Sequence, residues 1–267
     1  MKTWQRYVAI GDSFSEGMCD PDPASENSFL GWTDRLAHLL AADARDAGHD
    51  LEYANLAIRG RLLGDIVDRQ LPLALDLQPD LVSMAGGGND ILRPGSDIDA
   101  LAARFEEAVI ELRSRGIDVL MMTPTDPAEA PLLRATRSRS AIYLAHLHTI
   151  ARRHDCHLVD QWGMRALKDW RVWAPDRIHM TPEGHVRVAE AAHIALGGSP
   201  SELRPLPSAE KAGRLEFVRS TADWGREYVG PWVQRRLTGR SSGDGITAKR
   251  PQLTRIDPDE HLPAPRF

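Results

Sequence analysis

Apolar residues follow two alternating spacings along roughly the first 200 positions of the chain. Short apolar runs predict strands at 7–10, 51–58, 80–85, 118–123 and 156–162. Elsewhere the apolar residues recur every three or four positions, which predicts helices at 29–47, 63–77, 97–115, 136–154 and 181–196. Asp97 and Thr181 are suitable N-caps for two of these helices, and Pro182 suits the first position of the last one.

The alternation of strands and helices predicts the class of fold. Five strands that alternate with five helices indicate parallel βαβ units, and hence a three-layer α/β/α sandwich. Ligands of such sheets bind outside the carboxyl ends of the strands. The loops after the first three strands begin at Gly11, Arg59 and Gly86, and each has an unusual sequence. A functional site is therefore expected where these loops meet.

Composition limits the classes of protein that fit. The chain has 267 residues, of which 42% are hydrophobic and 27% charged, so wholesale disorder is excluded. The net charge of −5 gives no indication of a nucleic-acid partner. Cys19 and Cys156 form neither a disulfide framework nor a zinc motif. Apolar runs are too short to span a membrane, and no secretory signal is evident, so a cytoplasmic location is expected.

The C-terminal quarter differs from the rest of the chain. We predict a domain at 1–199, an amphipathic helical extension at 200–240 and a disordered, catalytically dispensable tail at 241–267. The extension has apolar residues spaced for one helical face, and docking on the domain is favoured over binding of a separate partner. These residues are Phe217, Trp224, Tyr228, Trp232 and Leu237.

Four short motifs contain the candidate chemistry. Gly11-Asp12-Ser13-Phe14-Ser15-Glu16-Gly17 directly follows the first strand. Taken alone, this motif also fits a turn capped by Asp12 and Ser13. The other three motifs are Asn55-Leu56-Ala57-Ile58-Arg59-Gly60, Gly87-Gly88-Asn89-Asp90 and Asp176-Arg177-Ile178-His179. Each lies beside a predicted strand end or helix start.

In that order, the four motifs resemble the signature blocks of the SGNH hydrolases, also called the GDSL esterase/lipase family. The resemblance covers about residues 5–197. It implies a flavodoxin-like, five-stranded parallel sheet with strand order 2-1-3-4-5 and no cofactor. Phe14 stands where the family name has leucine, and Ser15 where threonine is common, but neither change removes a catalytic group.

The resemblance assigns a role to each matched residue. Ser13 would be the nucleophile and His179 the base that takes its proton, with Asp176 orienting the imidazole. The backbone N–H groups of Ser13 and Gly60 and the side-chain amide of Asn89 would form the oxyanion hole. This chemistry would cleave a small-molecule carboxylic ester through an acyl-enzyme intermediate. A carbohydrate acetyl esterase, a thioesterase and a non-catalytic binding protein are the alternatives.

Several other residues have two interpretations. His185 is expected to be structural, and Arg59 and Arg61 either meet an acidic substrate or are solvated loop charges. Trp170 and Trp173 either line an acyl pocket or pack beneath the Asp176 loop. A metal site is disfavoured for a cluster that lies partly on a helix and partly on the next strand, namely His146, His148, His154, Cys156 and His157. The sequence leaves the oligomeric state open.

Overall fold

The computed structural model describes residues 2–25, 28–130, 133–200 and 241–263. The predicted amphipathic extension falls on 201–240, outside the described residues, so its docking stays a prediction. None of the helices in the described ranges combines the length and the hydrophobicity that a membrane span requires.

One sheet forms the centre of the molecule. Its six strands are β1 (Arg6–Ile10), β2 (Glu52–Asn55), β3 (Leu81–Met84), β4 (Asp118–Met122), β5 (His157–Val159) and β6 (Arg250–Arg255), in the order β5-β4-β3-β1-β2-β6. Strands β1 to β5 are parallel and have the predicted order. The count of five strands was wrong, because β6 pairs antiparallel with β2.

The helices are α1 (Ser13–Glu16), α2 (Trp32–Asp46), α3 (Leu63–Asp65), α4 (Leu71–Asp76), α5 (Gly88–Ile91), α6 (Ile98–Ser114), α7 (Arg137–Arg153) and α8 (Pro182–Ala195). Buried side chains of α2 and α8 pack on one face of the sheet, and those of α3, α4, α6 and α7 pack on the other. This arrangement is the predicted three-layer sandwich. Asp97 and Thr181 cap α6 and α8 through their side chains, as their sequence positions indicated.

The helix predicted at 63–77 has a π-helical turn, Ile66–Gln70, between α3 and α4. Pro72 follows this turn and lacks the backbone N–H that a regular α-helix would use there. The turn directs buried Gln70 towards the end of β1, where its amide accepts from Gly11 N at 2.8 Å and donates to Gly11 O at 2.9 Å. This irregularity therefore anchors the loop that precedes Ser13.

The expectation of disorder beyond residue 240 was wrong for 241–263, which is packed on the domain. Ile256, at 5% exposure, belongs to the core on the α2 side, and Leu253 packs against the core on the opposite side. Strand β6 was missed because its sequence, RPQLTR, is polar and contains proline. Both features are typical of an edge strand, which needs neither alternating burial nor a full set of backbone donors.

Lys249, immediately before β6, ties the C-terminal segment to the start of α2. Its ammonium group donates to the carbonyl of Phe29 at 2.8 Å and also to the carbonyl of Leu30 and the carboxylate of Asp34. The side chains of Lys249 and Asp34 are 11% and 10% exposed. The charge of each therefore depends on the other for compensation.

Candidate active site

Ser13 begins α1 at the point where the chain leaves the carboxyl end of β1. Asp12 is the N-cap of this helix, and its Oδ1 accepts from the backbone N–H of Phe14 at 3.0 Å. Gly17 ends the helix in the left-handed conformation, with φ 93°. The short helix directs the Ser13 hydroxyl over the edge of the sheet, as the first motif predicts.

The fourth motif forms a tight loop before α8. Asp176 Oδ1 accepts from the backbone N–H groups of both Ile178 and His179 at 2.9 Å. Arg177, which lies between Asp176 and Ile178, has φ 56°. This left-handed conformation allows the chain to turn around the carboxylate. Ala174 N donates to His179 O at 2.8 Å and closes the loop. The positions of Asp176 and His179 are thereby set by backbone contacts.

A continuous chain of hydrogen bonds joins these two loops. His179 Nδ1 lies 2.5 Å from Asp176 Oδ2, and His179 Nε2 lies 2.9 Å from Ser13 Oγ. Burial opposes ionisation of Asp176, but the hydrogen bonds from His179 and from the backbone outweigh it and lower the pKa of this carboxyl. Asp176 is therefore a carboxylate that holds the imidazole with its Nε2 facing Ser13.

Glu16 fixes the loop after β2 to the end of α1. Its buried carboxylate accepts from the backbone N–H of Arg59 at 2.6 Å and from Arg59 Nε at 2.9 Å. The guanidinium of Arg59 also lies 4.9 Å from the centre of the Phe29 ring. Arg59 is therefore not a solvated loop charge, since it forms an internal ion pair with Glu16.

Gly60 follows in this loop with φ 73°, a conformation that favours glycine. The C-terminal segment packs directly on it: Ser241 Oγ donates to Gly60 O at 3.2 Å, and Arg61 Nη2 donates to Gly243 O at 3.3 Å. A Cβ at position 60 would lie 2.5 Å from Ser241 Oγ. The loop is thus held by α1 on one side and by 241–243 on the other.

Asn89 lies at the start of α5, after β3. Its Nδ2 donates to Arg61 O at 3.0 Å and to Asp12 Oδ2 at 3.2 Å. The neighbouring carboxylate of Asp90 accepts from Leu63 N at 3.0 Å. The loops after β1, β2 and β3 are therefore linked through Asn89, and the structure brings Ser13 and Asn89 to the wall of one cavity.

Burial raises the pKa of Asp12 to about 6, although its hydrogen bond from Phe14 N and the nearby His179 act in the opposite direction. The folded protein therefore holds this proton more tightly than the unfolded chain, whose carboxyl has its ordinary pKa near 4. Stability should consequently fall as pH rises from about 4 to about 6 and then level off. At neutral pH the buried carboxylate of Asp12 is a cost to the fold.

We therefore expect Asp12→Asn, which keeps the helix cap, to gain about 3 kcal/mol of stability relative to wild type between pH 4 and pH 7. Urea unfolding across this pH range measures the difference. Asp46→Asn is the matched control, because the side chain of Asp46 is 82% exposed, and its difference from wild type should stay constant. A constant difference for Asp12→Asn as well would contradict the raised pKa.

The cavity beside Ser13 and His179 has a volume of about 220 Å³. Its walls are mainly apolar, with contributions from Leu92, Met122, Leu133, Trp173 and Ile178. Trp173 lines the cavity, and its indole N–H donates to Leu167 O at 2.8 Å. The cavity can therefore hold an apolar group of a molecule whose reacting atom lies beside Ser13.

The remaining histidines have other partners. His185 accepts from Trp32 N at 3.2 Å and faces Met18 O at 3.1 Å, and burial lowers its pKa to about 4. This fits the expected structural role. His146 pairs with Asp99 and His154 with Glu106, both at 2.7 Å.

One group of potential metal ligands occurs in the described part of the chain: Cys19, Asp176 and His179. Burial raises the pKa of the Cys19 thiol to about 11, whereas a metal ligand must be a thiolate. Asp176 and His179 already bind each other. This set of residues therefore suits the hydrogen-bonded chain to Ser13 better than it suits a metal.

Two parts of the site were missed in the sequence. Glu16 belongs to the first motif and was read only as part of the turn, although an acidic residue one helical turn after Ser13 can reach a neighbouring loop. Contacts of Gly60 with 241–243 bridge 181 residues along the chain. No local pattern reports such a contact.

Solved structures share the fold. Axe2, an acetylxylan esterase from Geobacillus stearothermophilus, is 21% identical with a TM-score of 0.60, covering 75% of this chain and 98% of its own. LAE5, an α/β hydrolase enzyme from the metagenome of Lake Arreo, is 26% identical with a TM-score of 0.58, covering 74% of this chain and 97% of its own. TesA is 22% identical with a TM-score of 0.56, covering 72% and 98%.

None of the curated proteins matches this sequence. The model of the GDSL-like lipase/acylhydrolase family, in contrast, matches residues 9–187, which is well over half of the chain and includes all four motifs. The protein therefore belongs to the GDSL-like lipase/acylhydrolase family and is an SGNH-type esterase.

Proposed function

We propose that the protein is a serine hydrolase that cleaves a carboxylic ester through a covalent acyl-enzyme. The observation that carries the proposal is the hydrogen-bonded chain from Asp176 through His179 to Ser13 Oγ, at the wall of an apolar cavity. A serine hydroxyl is a weak nucleophile until a neighbouring base takes its proton, and His179 Nε2 lies within reach.

In the first half of the reaction, Ser13 Oγ attacks the ester carbonyl carbon and its proton passes to His179 Nε2. The tetrahedral intermediate then collapses, the bond to the alcohol oxygen breaks, and His179 returns the proton to the departing alcohol. In the second half, His179 takes a proton from water, and the hydroxide attacks the acyl carbonyl carbon. The bond to Ser13 Oγ then breaks, the acid leaves, and His179 returns the proton to Ser13 Oγ. Asp176 stabilises the imidazolium that forms in each half.

The negative oxygen of each intermediate requires donors. We assign these to the backbone N–H groups of Ser13 and Gly60 and to Asn89 Nδ2. Support comes from Asn89, whose hydrogen bonds to Asp12 and Arg61 link the loops after β1, β2 and β3. An incoming oxyanion would replace the 3.2 Å bond from Asn89 Nδ2 to Asp12.

A fluorophosphonate probe tests the proposal. Ser13 Oγ should displace fluoride from phosphorus and retain the phosphonyl group, and peptide mass spectrometry should find the added mass on the peptide that contains Ser13. Ser13→Ala should remain unlabelled. Ser15→Ala is the matched control, since the Ser15 side chain is fully buried two residues away, and it should still be labelled.

The absence of label from the wild-type protein, or label on another residue, would contradict the assignment of Ser13 as nucleophile. The first of these results is the one expected for a non-catalytic binding protein. A cavity of about 220 Å³ also exceeds what an acetyl group fills, which favours larger acyl groups over acetyl.

A further inference from the structure

Gln161 lies at the wall of the cavity and is not used by the reaction described above. It is the second residue after β5, so it occupies the same carboxyl edge of the sheet as the three loops of the site. The residue is 4% exposed. Among the described residues, none forms a hydrogen bond with its side-chain nitrogen Nε2.

A buried amide donor without a partner destabilises the fold, because it loses its hydrogen bonds to water and gains none in return. Such groups are uncommon in folded proteins, and one beside an active site is a candidate for binding substrate. Ser15, whose hydroxyl is also buried and unpartnered, does not line the cavity. Gln161 therefore combines an unused donor with access to the substrate space.

The backbone of Gln161 is held firmly. Its N–H donates to Val159 O at 3.1 Å, and its carbonyl accepts from Met164 N at 3.2 Å. The next residue, Trp162, donates its N–H to Thr123 Oγ1 at 3.3 Å. The terminal torsion of a glutamine side chain is broad, however, and Nε2 has no bond to give up. The amide can therefore rotate to present its N–H to the cavity.

The size and chemistry of the cavity define the group that it would hold. An apolar cavity of about 150 Å³ accepts benzene, with six carbons. At the same packing, about 220 Å³ accepts an acyl group of up to about nine carbons. The apolar walls suit the carbon chain of the acyl group, whereas the side-chain N–H of Gln161 would bind an oxygen that accepts a hydrogen bond.

We propose that Gln161 is a specificity-determining residue, whose amide donates to an oxygen acceptor on the acyl group of the substrate. The preferred substrates are then esters of oxygen-bearing acyl groups of about six to nine carbons, such as oxoacyl esters, rather than acetyl or plain alkyl esters. This inference rests on the proposed function, since it requires the acyl group to be attached beside Ser13.

The test compares p-nitrophenyl hexanoate with p-nitrophenyl 4-oxohexanoate and 5-oxohexanoate, which share one leaving group and one chain length. We measure the ratio of kcat/KM for the better oxoacyl ester to kcat/KM for the hexanoate. In Gln161→Met this ratio should fall about tenfold from its wild-type value, as expected for one neutral hydrogen bond. Because the same esters are used with wild type and with Gln161→Met, their intrinsic reactivities cancel when the two ratios are compared.

Leu133→Met is the matched control, because it alters a cavity wall without changing a hydrogen-bonding group, and its ratio should equal that of wild type. If Gln161→Met does not fold, Gln161→Ala tests the same point, since it also removes the donor and introduces no buried charge. An unchanged ratio in the Gln161 variant, or a wild-type enzyme that favours hexanoate, would overturn the inference.

Failure of the proposed function would give results different from failure of the role of Gln161. Wild-type protein that hydrolyses none of the three esters and takes no fluorophosphonate label would overturn both proposals. Wild-type protein that is labelled at Ser13 and hydrolyses hexanoate, but has the same ratio as Gln161→Met, would overturn only the role of Gln161.

Discussion

Ser13→Ala should lower kcat for ester hydrolysis by at least about 10⁴-fold, since it removes the nucleophile on which the acyl-enzyme route depends. His179→Ala should have a similar effect, because Ser13 Oγ then has no base at 2.9 Å. The double variant should be little worse than either single variant, because members of one catalytic unit do not contribute additively. Initial rates with a p-nitrophenyl ester, at saturating substrate, measure all three.

Ser15→Ala is again the control and should retain most of the activity, since its hydroxyl is buried away from the cavity. Thermal melting of each variant separates loss of chemistry from loss of fold. Losses that multiply in the double variant, or a folded Ser13→Ala enzyme with near-wild-type kcat, would remove Ser13 and His179 from the mechanism.

Truncation after residue 240 should destabilise the protein severely, which reverses the expectation from sequence that the tail is dispensable. The truncation exposes the backbone of β2, uncovers the core at Ile256 and leaves Asp34 buried without its ammonium partner. It also removes the contact of Ser241 with Gly60. The truncated chain should aggregate or melt far below the full-length protein, as differential scanning calorimetry would show.

The Lys249→Met variant tests the ion pair with Asp34 separately from the other contacts of the C-terminal segment. Leaving one charge of a buried pair alone costs about 3–5 kcal/mol, so this variant should be less stable by about that amount. Asp34→Leu combined with Lys249→Met removes both charges and should recover much of the loss. A truncated protein with wild-type melting temperature, or a Lys249→Met variant of unchanged stability, would contradict the structural role of the segment.

The sequence determined the central architecture and most of the candidate site. Each parallel strand is a short apolar run, and each major helix has an apolar face, so local periodicity sufficed to predict β1 to β5 and the helices between them. Ser13, Asn89, Asp176 and His179 were also predictable, because each lies in a short motif directly beside a strand or helix end. Parallel strands bring such ends to one edge of the sheet.

Tertiary structure alone decided the features that depend on residues distant in the chain. Strand β6 has no apolar alternation, because this edge strand is stabilised mainly by its pairing with β2. Arg59 is an internal charge only because Glu16, at the end of α1, forms an ion pair with it.

Gln161 illustrates the same limit within the site. Its sequence neighbourhood contains no recognisable motif. Its interest comes from lying buried beside a cavity, with an amide nitrogen that has no hydrogen-bond partner in the described part of the chain. Burial and hydrogen-bond satisfaction depend on every element that packs around a side chain, whereas periodicity and motifs report only on a residue's neighbours along the chain. Most residues of the candidate site were therefore predictable from the sequence, but the features proposed here to select the substrate were not.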